Sequence, residues 1–335
     1  AMPDANPPFA LLPHVLSADP PVAAALPLPF PFFVKPVKAA FSILARRIDD
    51  VATLGRHLTF SPWEAHLIRH LVRPYGDLAR AHGIHDADPL RMLAEGVMDG
   101  VQVNVDGWMD RGRVSFFGIV DAVMYTGTQA FARFEYPSRL PAPAQARALA
   151  MAERAIRAVG FAHGAFNVEL FCDPHDGTPR VIEINPRFAG QFADLYAMVD
   201  GTHPYEVLAD LAVGRTPRFT RGAGRHAVAA SFVQRAFDAR AIAAPGPAQR
   251  RWLSTAHPDA ALHVFTRGGH ARAREQKWLG SYRHAIVNLG AASREDLERR
   301  HLQIVSALAF DRAGHRGGGL AAARAAVQRL FAAPS

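Results

Sequence analysis

Cysteine is almost missing from this chain, with Cys172 the only one. An internal disulfide is therefore excluded, and a reducing, cytoplasmic setting is the expectation. Long apolar runs are missing as well, so no segment reads as a membrane span. The opening Ala1–Pro31 is rich in Pro and Ala, but has neither the basic start nor the continuous apolar stretch of a secretory signal. No internal repeat is visible, and the spacing of the 16 histidines and the cysteine matches no zinc motif. Lysine is scarce: of 38 basic residues, only Lys35, Lys38 and Lys277 are lysines.

What is present is ordinary globular chemistry with a basic balance. Of the 335 residues, 49% are hydrophobic and 20% charged, enough for one large core or two to three lobes. The formal net charge is +8, yet the arginines are scattered, with no basic run and no patch interleaved with aromatics. That pattern argues against nucleic acid, and phosphate-bearing small molecules account for the sign equally well. In a chain that otherwise uses arginine, two of three lysines fall within four positions. A compact ammonium suits a phosphate oxygen, which marks Lys35 as chemically required.

The periodicity alternates between strand and helix. Phe30–Pro36 is an apolar run closed by proline, consistent with a buried strand, after an irregular stretch over residues 1–29. Helical signals follow around Asp49–Leu58. Ser61-Pro62-Trp63-Glu64 has the form of a capping box opening a helix toward Val72. Leu93–Val105 and Arg113–Met124 read as strands joined by the polar turn Asp110–Gly112, and Pro143–Val159 as a helix stopped by Gly160. Further on come a helix at Tyr205–Val213, strands at Val228–Val233, Leu262–Thr266 and Tyr282–Leu289, and a helix capped by Ser293–Asp296 and running through Leu308. The glycines at 317–319 break the chain before a terminal helix. Several hairpins among helices make this a mixed α/β fold rather than an all-parallel sheet.

The most informative stretch is Ala165–Arg187. Asn167–Phe171 and Val181–Asn185 are short, alternating and β-branched, and the residues separating them are dense in turn formers. A hairpin centred on Asp176 sets Glu169 directly opposite Glu183. Asn185 then shares their face, while Val168, Leu170, Ile182 and Ile184 take the other. Like charges facing across a strand pair repel. A divalent cation offsets this, and two carboxylates with an amide oxygen favour magnesium or manganese over zinc. Magnesium completes its shell with water and phosphate, so a phosphate ligand is implied. Taken alone, the two glutamates also fit a hairpin whose acidic face lies in water. Pro186-Arg187 shifts the balance, because Arg187 would project near the same site, where a cation can hold a transferring phosphoryl group.

Glu183-Ile184-Asn185-Pro186-Arg187, preceded by Gly160-Phe161, Gly164 and Asn167-Val168-Glu169, resembles the metal-binding signature of ATP-grasp ligases. Phe30–Pro36 resembles that family's nucleotide-binding strand, with Lys35 as its phosphate-contacting lysine. Glu95-Gly96-Val97-Met98-Asp99-Gly100 resembles the segment joining the two lobes, where backbone groups meet adenine. The resemblance runs in order from about Phe30 to Val213, and more weakly through Leu289.

The resemblance implies an ATP-grasp fold of two lobes clamping ATP, with a C-terminal α/β extension. A small lobe would span 30–93, a large lobe with the metal site 94–220, and a C-terminal region 221–335. It also implies an ADP-forming ligase: magnesium held by Glu169, Glu183 and Asn185 neutralises the ATP phosphates, a carboxylate becomes an acyl phosphate, and an amine displaces the phosphate to give an amide. Arg187 is the implied catalytic cation, and Lys35, Lys38, Ser42, Glu95, Val97 and Gln102 the implied nucleotide ligands. Expected partners are small-molecule carboxylate and amine substrates, with room for a homodimer and with neither nucleic acid nor membrane.

The chain departs from the family pattern in three places. Val37–Ser42 lacks the usual glycines, leaving Ser42 and Lys38, which reads equally as a solvated loop residue, to cover the phosphates, and Gln102 stands where many relatives have a ribose-binding glutamate. The family's N-terminal domain and upstream lysine are not seen, so the chain is expected to be truncated or a shortened member. Other classes remain open: an ATP-binding regulatory or partner-dependent subunit with reduced catalysis, and a kinase without ligation. His163 is expected near the site. Arg113, Arg133 and Arg139 lie on the strand and loop expected to border the substrate pocket, where one could bind a carboxylate although each taken alone reads as a surface charge, and Cys172 is expected to be buried and inert.

Overall fold

In a computed structural model of the chain, the described residues are 2–14, 26, 28–38, 44–85, 88–238, 242–265 and 269–310. Ser42, Thr266 and the glycines at 317–319 lie outside them. The chain divides into two compact units, Asn6–Asp99 and a larger one of Ala1–Ala5 with Gly100–Ser335. Among the described residues no helix is long and apolar enough to cross a membrane.

The smaller unit contains β1 (Phe9–His14), β2 (Phe32–Pro36), β3 (Arg46–Ile48), α1 (Val51–His57), α2 (Pro62–Ala81) and β4 (Arg91–Gly96). Its strands form one antiparallel sheet in the order β1-β4-β2-β3. The capping box forms as the sequence indicates: Ser61 Oγ accepts from the Glu64 N–H, and Glu64 Oε2 accepts from the Ser61 N–H at 2.9 Å. The helix runs past Val72 and through Pro74, because burial of Val72 and Gly76 continues its apolar face beyond the proline. Residues 1–29 are not irregular throughout. Phe9–His14 is an edge strand, a place where Pro13 is tolerated because one side of the strand makes no ladder bonds.

Leu93–Val105 is likewise not one strand. It breaks after β4, and Gly100, at φ 138°, takes a backbone conformation that side chains rarely adopt. The next strand belongs to the larger unit and a different sheet.

The larger unit holds β5 (Val101–Asp110), β6 (Arg113–Met124), β7 (Phe131–Tyr136), α3 (Ala142–Ala158), β8 (Gly164–Cys172), β9 (Pro179–Asn185), α4 (Ala193–Asp200), α5 (Pro204–Ala212), β10 (Val228–Ala236), α6 (Pro247–Ala256), β11 (Ala261–Val264), α7 (Gly269–Leu279), β12 (Tyr282–Ala291) and α8 (Arg294–Ala307). Its eight strands make an antiparallel sheet ordered β11-β12-β10-β7-β6-β5-β8-β9. Strand alternation divides the core in two. Val103, Val105, Val168 and Leu170 face α3 through Ala148, Ala152 and Ile156. Trp108, Val120 and Phe134, on the opposite face, pack under Phe192, Leu195 and Tyr196 of the α4 region. Further along, Val228, Phe232, Val287 and Leu289 meet Leu297, Ile304 and Val305 of α8. Cys172 is fully buried in the α3 core, where burial pushes its thiol up to about 11, so it is inert as expected.

Candidate functional site

The hairpin β8–β9 pairs as its turn composition dictates. Asp173 Oδ1 accepts from the His175 N–H at 2.8 Å, Asp176 Oδ1 accepts from the Thr178 N–H at 2.7 Å, and Gly177 takes φ 70°. Glu169 then lies opposite Glu183, and Asn167 opposite Asn185. A register shift next to Glu169 brings Val181, not Ile182, opposite Leu170. On its other side β8 pairs with β5, which sets Asn104 opposite Glu169 and Asp106 opposite Asn167. The outcome is two polar rows crossing three strands on one face: Asn104, Glu169, Glu183, and Asp106, Asn167, Asn185.

The second row is wired together. Asn167 Nδ2 donates to Asp106 Oδ1 at 2.9 Å, and Asn185 Nδ2 donates to Asn167 Oδ1 at 3.3 Å. Arg187 Nη2 reaches Asn185 Oδ1 at 3.3 Å, so the arginine stands beside the site as expected. Asp106 is completely buried and also accepts from the Ala189 N–H at 3.2 Å and from Tyr196 Oη at 3.0 Å. Burial raises its carboxyl to about 7, against the pull of those three donors and the Arg187 charge. Asp106 thereby ties the segment after Arg187, and the helix α4, to the polar rows.

In the first row, Gln102 Nε2 donates to Glu169 Oε2 at 3.2 Å from a buried position. Glu183 is exposed, whereas Asn185 is buried. Asn104 Nδ2 is buried with no hydrogen-bond partner, a donor left over beside Glu169. Among the described residues no three His, Cys, Asp or Glu side chains gather as a metal cluster. The donors here are two carboxylates and an amide, all hard oxygen ligands. They fit magnesium or manganese completed by water or phosphate, and do not fit an all-protein zinc cage.

The other expected residues fall as follows. In the smaller unit, Lys35 Nζ pairs with Glu95 Oε2 at 2.8 Å, joining two of the expected nucleotide ligands, and Val97 follows β4 half-buried. Lys38 is exposed, with Nζ 4.8 Å from the centre of the Tyr75 ring. His163 is not near the rows; it approaches Asp110 at the far end of β5. The three arginines are not at the site either. Arg113 is exposed, while Arg133 and Arg139 pair with the buried Glu135 at 3.2 and 2.8 Å. Glu135 is opposite Asp121, and Asp121 opposite Val103, so this network occupies the face away from Glu169. There the three arginines Arg133, Arg139 and Arg294 hold the Glu135 carboxyl below its usual range against the cost of burial.

No protein-family model matches the chain. Carnosine synthase 1 of Gallus gallus is 39% identical over 129 residues, covering 36% of this chain and only 14% of that relative. Among solved structures, the L-amino acid ligase from Bacillus licheniformis aligns at TM-score 0.57 and 16% identity over 90% of this chain and 66% of its own, just under two thirds. A carboxyaminoimidazole ribonucleotide synthase from Aspergillus clavatus, complexed with ATP, aligns at TM-score 0.61 and 14% identity over 93% of this chain and 70% of its own. The chain has the ATP-grasp fold. Functional candidates that the sequence alone does not single out are Asn104 and Asp106 on its β5 strand and Tyr196 on α4. A signal for the first two was present, since Gln102, Asn104 and Asp106 alternate with Val103 and Val105. Their partners on β8 were not local.

Proposed function

We propose that the chain is an ATP-dependent, ADP-forming ligase that joins a carboxylate to an amine through an acyl phosphate. The observation that carries this is the pairing of Glu169 against Glu183 with Asn185 on the same face, beside the Arg187 guanidinium. Glu169, Glu183 and Asn185 would hold magnesium or manganese, which when bound neutralises charge on the ATP phosphates. Gln102 orients Glu169. Its side-chain amide is committed to that carboxylate, which favours this role over ribose binding. Arg187 is assigned to the transferring phosphoryl group and Lys35 to a nucleotide phosphate, while Glu95 keeps Lys35 in place. The backbone near Val97 is assigned to the adenine, and Lys38 remains a candidate for the phosphates.

The chemistry balances simply. A carboxylate oxygen attacks the γ-phosphorus, an O–P bond forms, the bond to the β–γ bridging oxygen breaks, and ADP leaves. The amine nitrogen then attacks the acyl carbon, the C–N bond forms, the C–O bond breaks, phosphate departs and the nitrogen loses a proton. The names of the carnosine synthase and the L-amino acid ligase support amino acids as the substrate class.

The test is ATP-dependent hydroxamate formation with hydroxylamine over a panel of amino and carboxylic acids. Hydroxamate together with ADP is the expected result. ATP binding without either product would replace the ligase by a regulatory or partner-dependent subunit, and a phosphorylated product stable to hydroxylamine would replace it by a kinase. Lys35→Ala is expected to weaken ATP binding by about tenfold, the worth of one charge-assisted contact. A melting curve is read alongside, because the lost pair is largely sheltered, at 20% and 13% side-chain exposure, and some loss of stability is expected. Equal affinity in calorimetric titration would remove Lys35 from the nucleotide.

A further inference from the structure

The segment after Arg187 leads to a second cluster on the same sheet face. Gln191 Nε2 donates to Ser231 Oγ of β10 at 3.0 Å, and Ser231 is paired in register with Asn288 of β12. Asp194, in the first turn of α4, accepts from Asn288 Nδ2 on Oδ2 at 2.6 Å. Two imidazoles flank the same carboxylate: His203 Nε2 is 3.8 Å from Oδ1, and His263 Nε2 is 4.0 Å from Oδ2. Both separations exceed a hydrogen bond. The carboxylate is about one-third exposed, at 34%.

The imbalance of donors and acceptors gives the cluster its meaning. Asn288 is 3% exposed, its Nδ2 is committed to Asp194, and its Oδ1 is buried with no partner. An acceptor in that state implies a missing donor. Among the described residues, the charged neighbours of Asp194 within 4 Å are the two histidines, with no lysine or arginine. The partly exposed carboxylate, backed by the buried Asn288 amide oxygen, offers acceptors, while each imidazole accepts or donates according to its tautomer. This arrangement complements a cation carrying several N–H groups, which is the reverse of the Arg187 side of the face.

We infer that Asp194, flanked by His203 and His263 and backed by Asn288, seats the ammonium group of the nucleophilic substrate before it loses its proton. The inference rests on the ligase reading above and extends it by naming the residues that select a cationic amine. α4 joins the two regions, because Tyr196 on the same helix donates to Asp106. Asp194 is a specificity-determining residue for the amine and takes no part in activating the acid.

The experiment compares two nucleophiles on the full chain. Hydroxylamine is mostly uncharged near pH 7.5 and needs no ammonium seat; the standard amino acids carry one. Asp194→Asn should leave hydroxamate formation within about twofold of the parent and raise KM for the best amino acid nucleophile by about tenfold or more, the loss of a charge-assisted contact. Asp194→Glu should recover part of that loss. If Asp194→Asn melts early, His203→Gln is read instead, with about a threefold rise in amine KM expected from a weaker polar contact. An unchanged amine KM beside normal hydroxamate formation overturns this inference alone, as does a parent that yields hydroxamate but accepts no amino acid nucleophile. A parent that forms no hydroxamate overturns the ligase reading, and this inference with it.

Discussion

Glu183→Gln is expected to lower ATP turnover by about 100- to 1000-fold, the scale set by removing one preorganised electrostatic contact at a reacting phosphoryl or acyl group. The fold should survive. Glu183 is exposed on an edge strand, and glutamine fills the same space without its charge. Two carboxylates directly across a strand pair destabilise it by roughly 0.2–1 kcal/mol, so the ion-free variant should melt slightly above the parent. In the parent, magnesium with ATP should reverse that order, since a ligand that binds only the folded state stabilises it. The measurement is ADP release together with melting curves, with and without magnesium and ATP. Full turnover in the variant, or an equal magnesium-dependent shift in both proteins, would remove Glu183 from the metal site.

The largest expected stability loss is at Asp106. Asp106→Ala strands three donors in a closed interior: Asn167 Nδ2, the Ala189 N–H and Tyr196 Oη. Each unsatisfied group costs about 1–3 kcal/mol, so a total loss of about 3–5 kcal/mol is expected. Urea unfolding measures it. Turnover should fall even where the variant remains folded, because Asn185 and the segment after Arg187 are both held through this network.

The pH dependence separates charge from shape at the same residue. Burial raises the folded Asp106 carboxyl from 3.8 to about 7. Between those values the folded protein keeps a proton that the unfolded chain has released, so this group's contribution is complete below about pH 4 and lost as pH rises through 7. Asp106→Asn cannot titrate. From pH 5 to pH 8 the parent should lose stability relative to that variant. Parallel curves would mean that the three donors outweigh burial.

How much was legible follows from how local each contact is. The Glu169–Glu183 pairing spans one hairpin, and the turn formers Asp173, Asp176 and Gly177 fix its register, so alternation alone placed both carboxylates and Asn185 on one face. The capping box at Ser61 and the strand Arg113–Met124 were equally local. Asn104 and Asp106 were visible as polar residues in an apolar strand, but β5 and β8 meet across about sixty residues of sequence, and no nearby turn fixes that register. The short helix α4 is apolar nearly all round and gives no amphipathic signal. Arg133 and Arg139 show the opposite failure. Their residue type suits a carboxylate, yet the pairing of β7 with β6 turns Arg133 and Glu135 to the far side of the sheet, where Glu135 occupies both arginines.

β9 is the last strand of the eight, paired on one side by β8 and supported by α3 from below. Glu183 and Asn185 both ride on it. An ion gripped jointly by Glu169, Glu183 and Asn185 would thus act as a clasp on an outer rung, resisting its peeling from the sheet. Under the proposed function, loading with nucleotide and tightening of that border would become one event, and the strand to watch for opening without ligand would be β9.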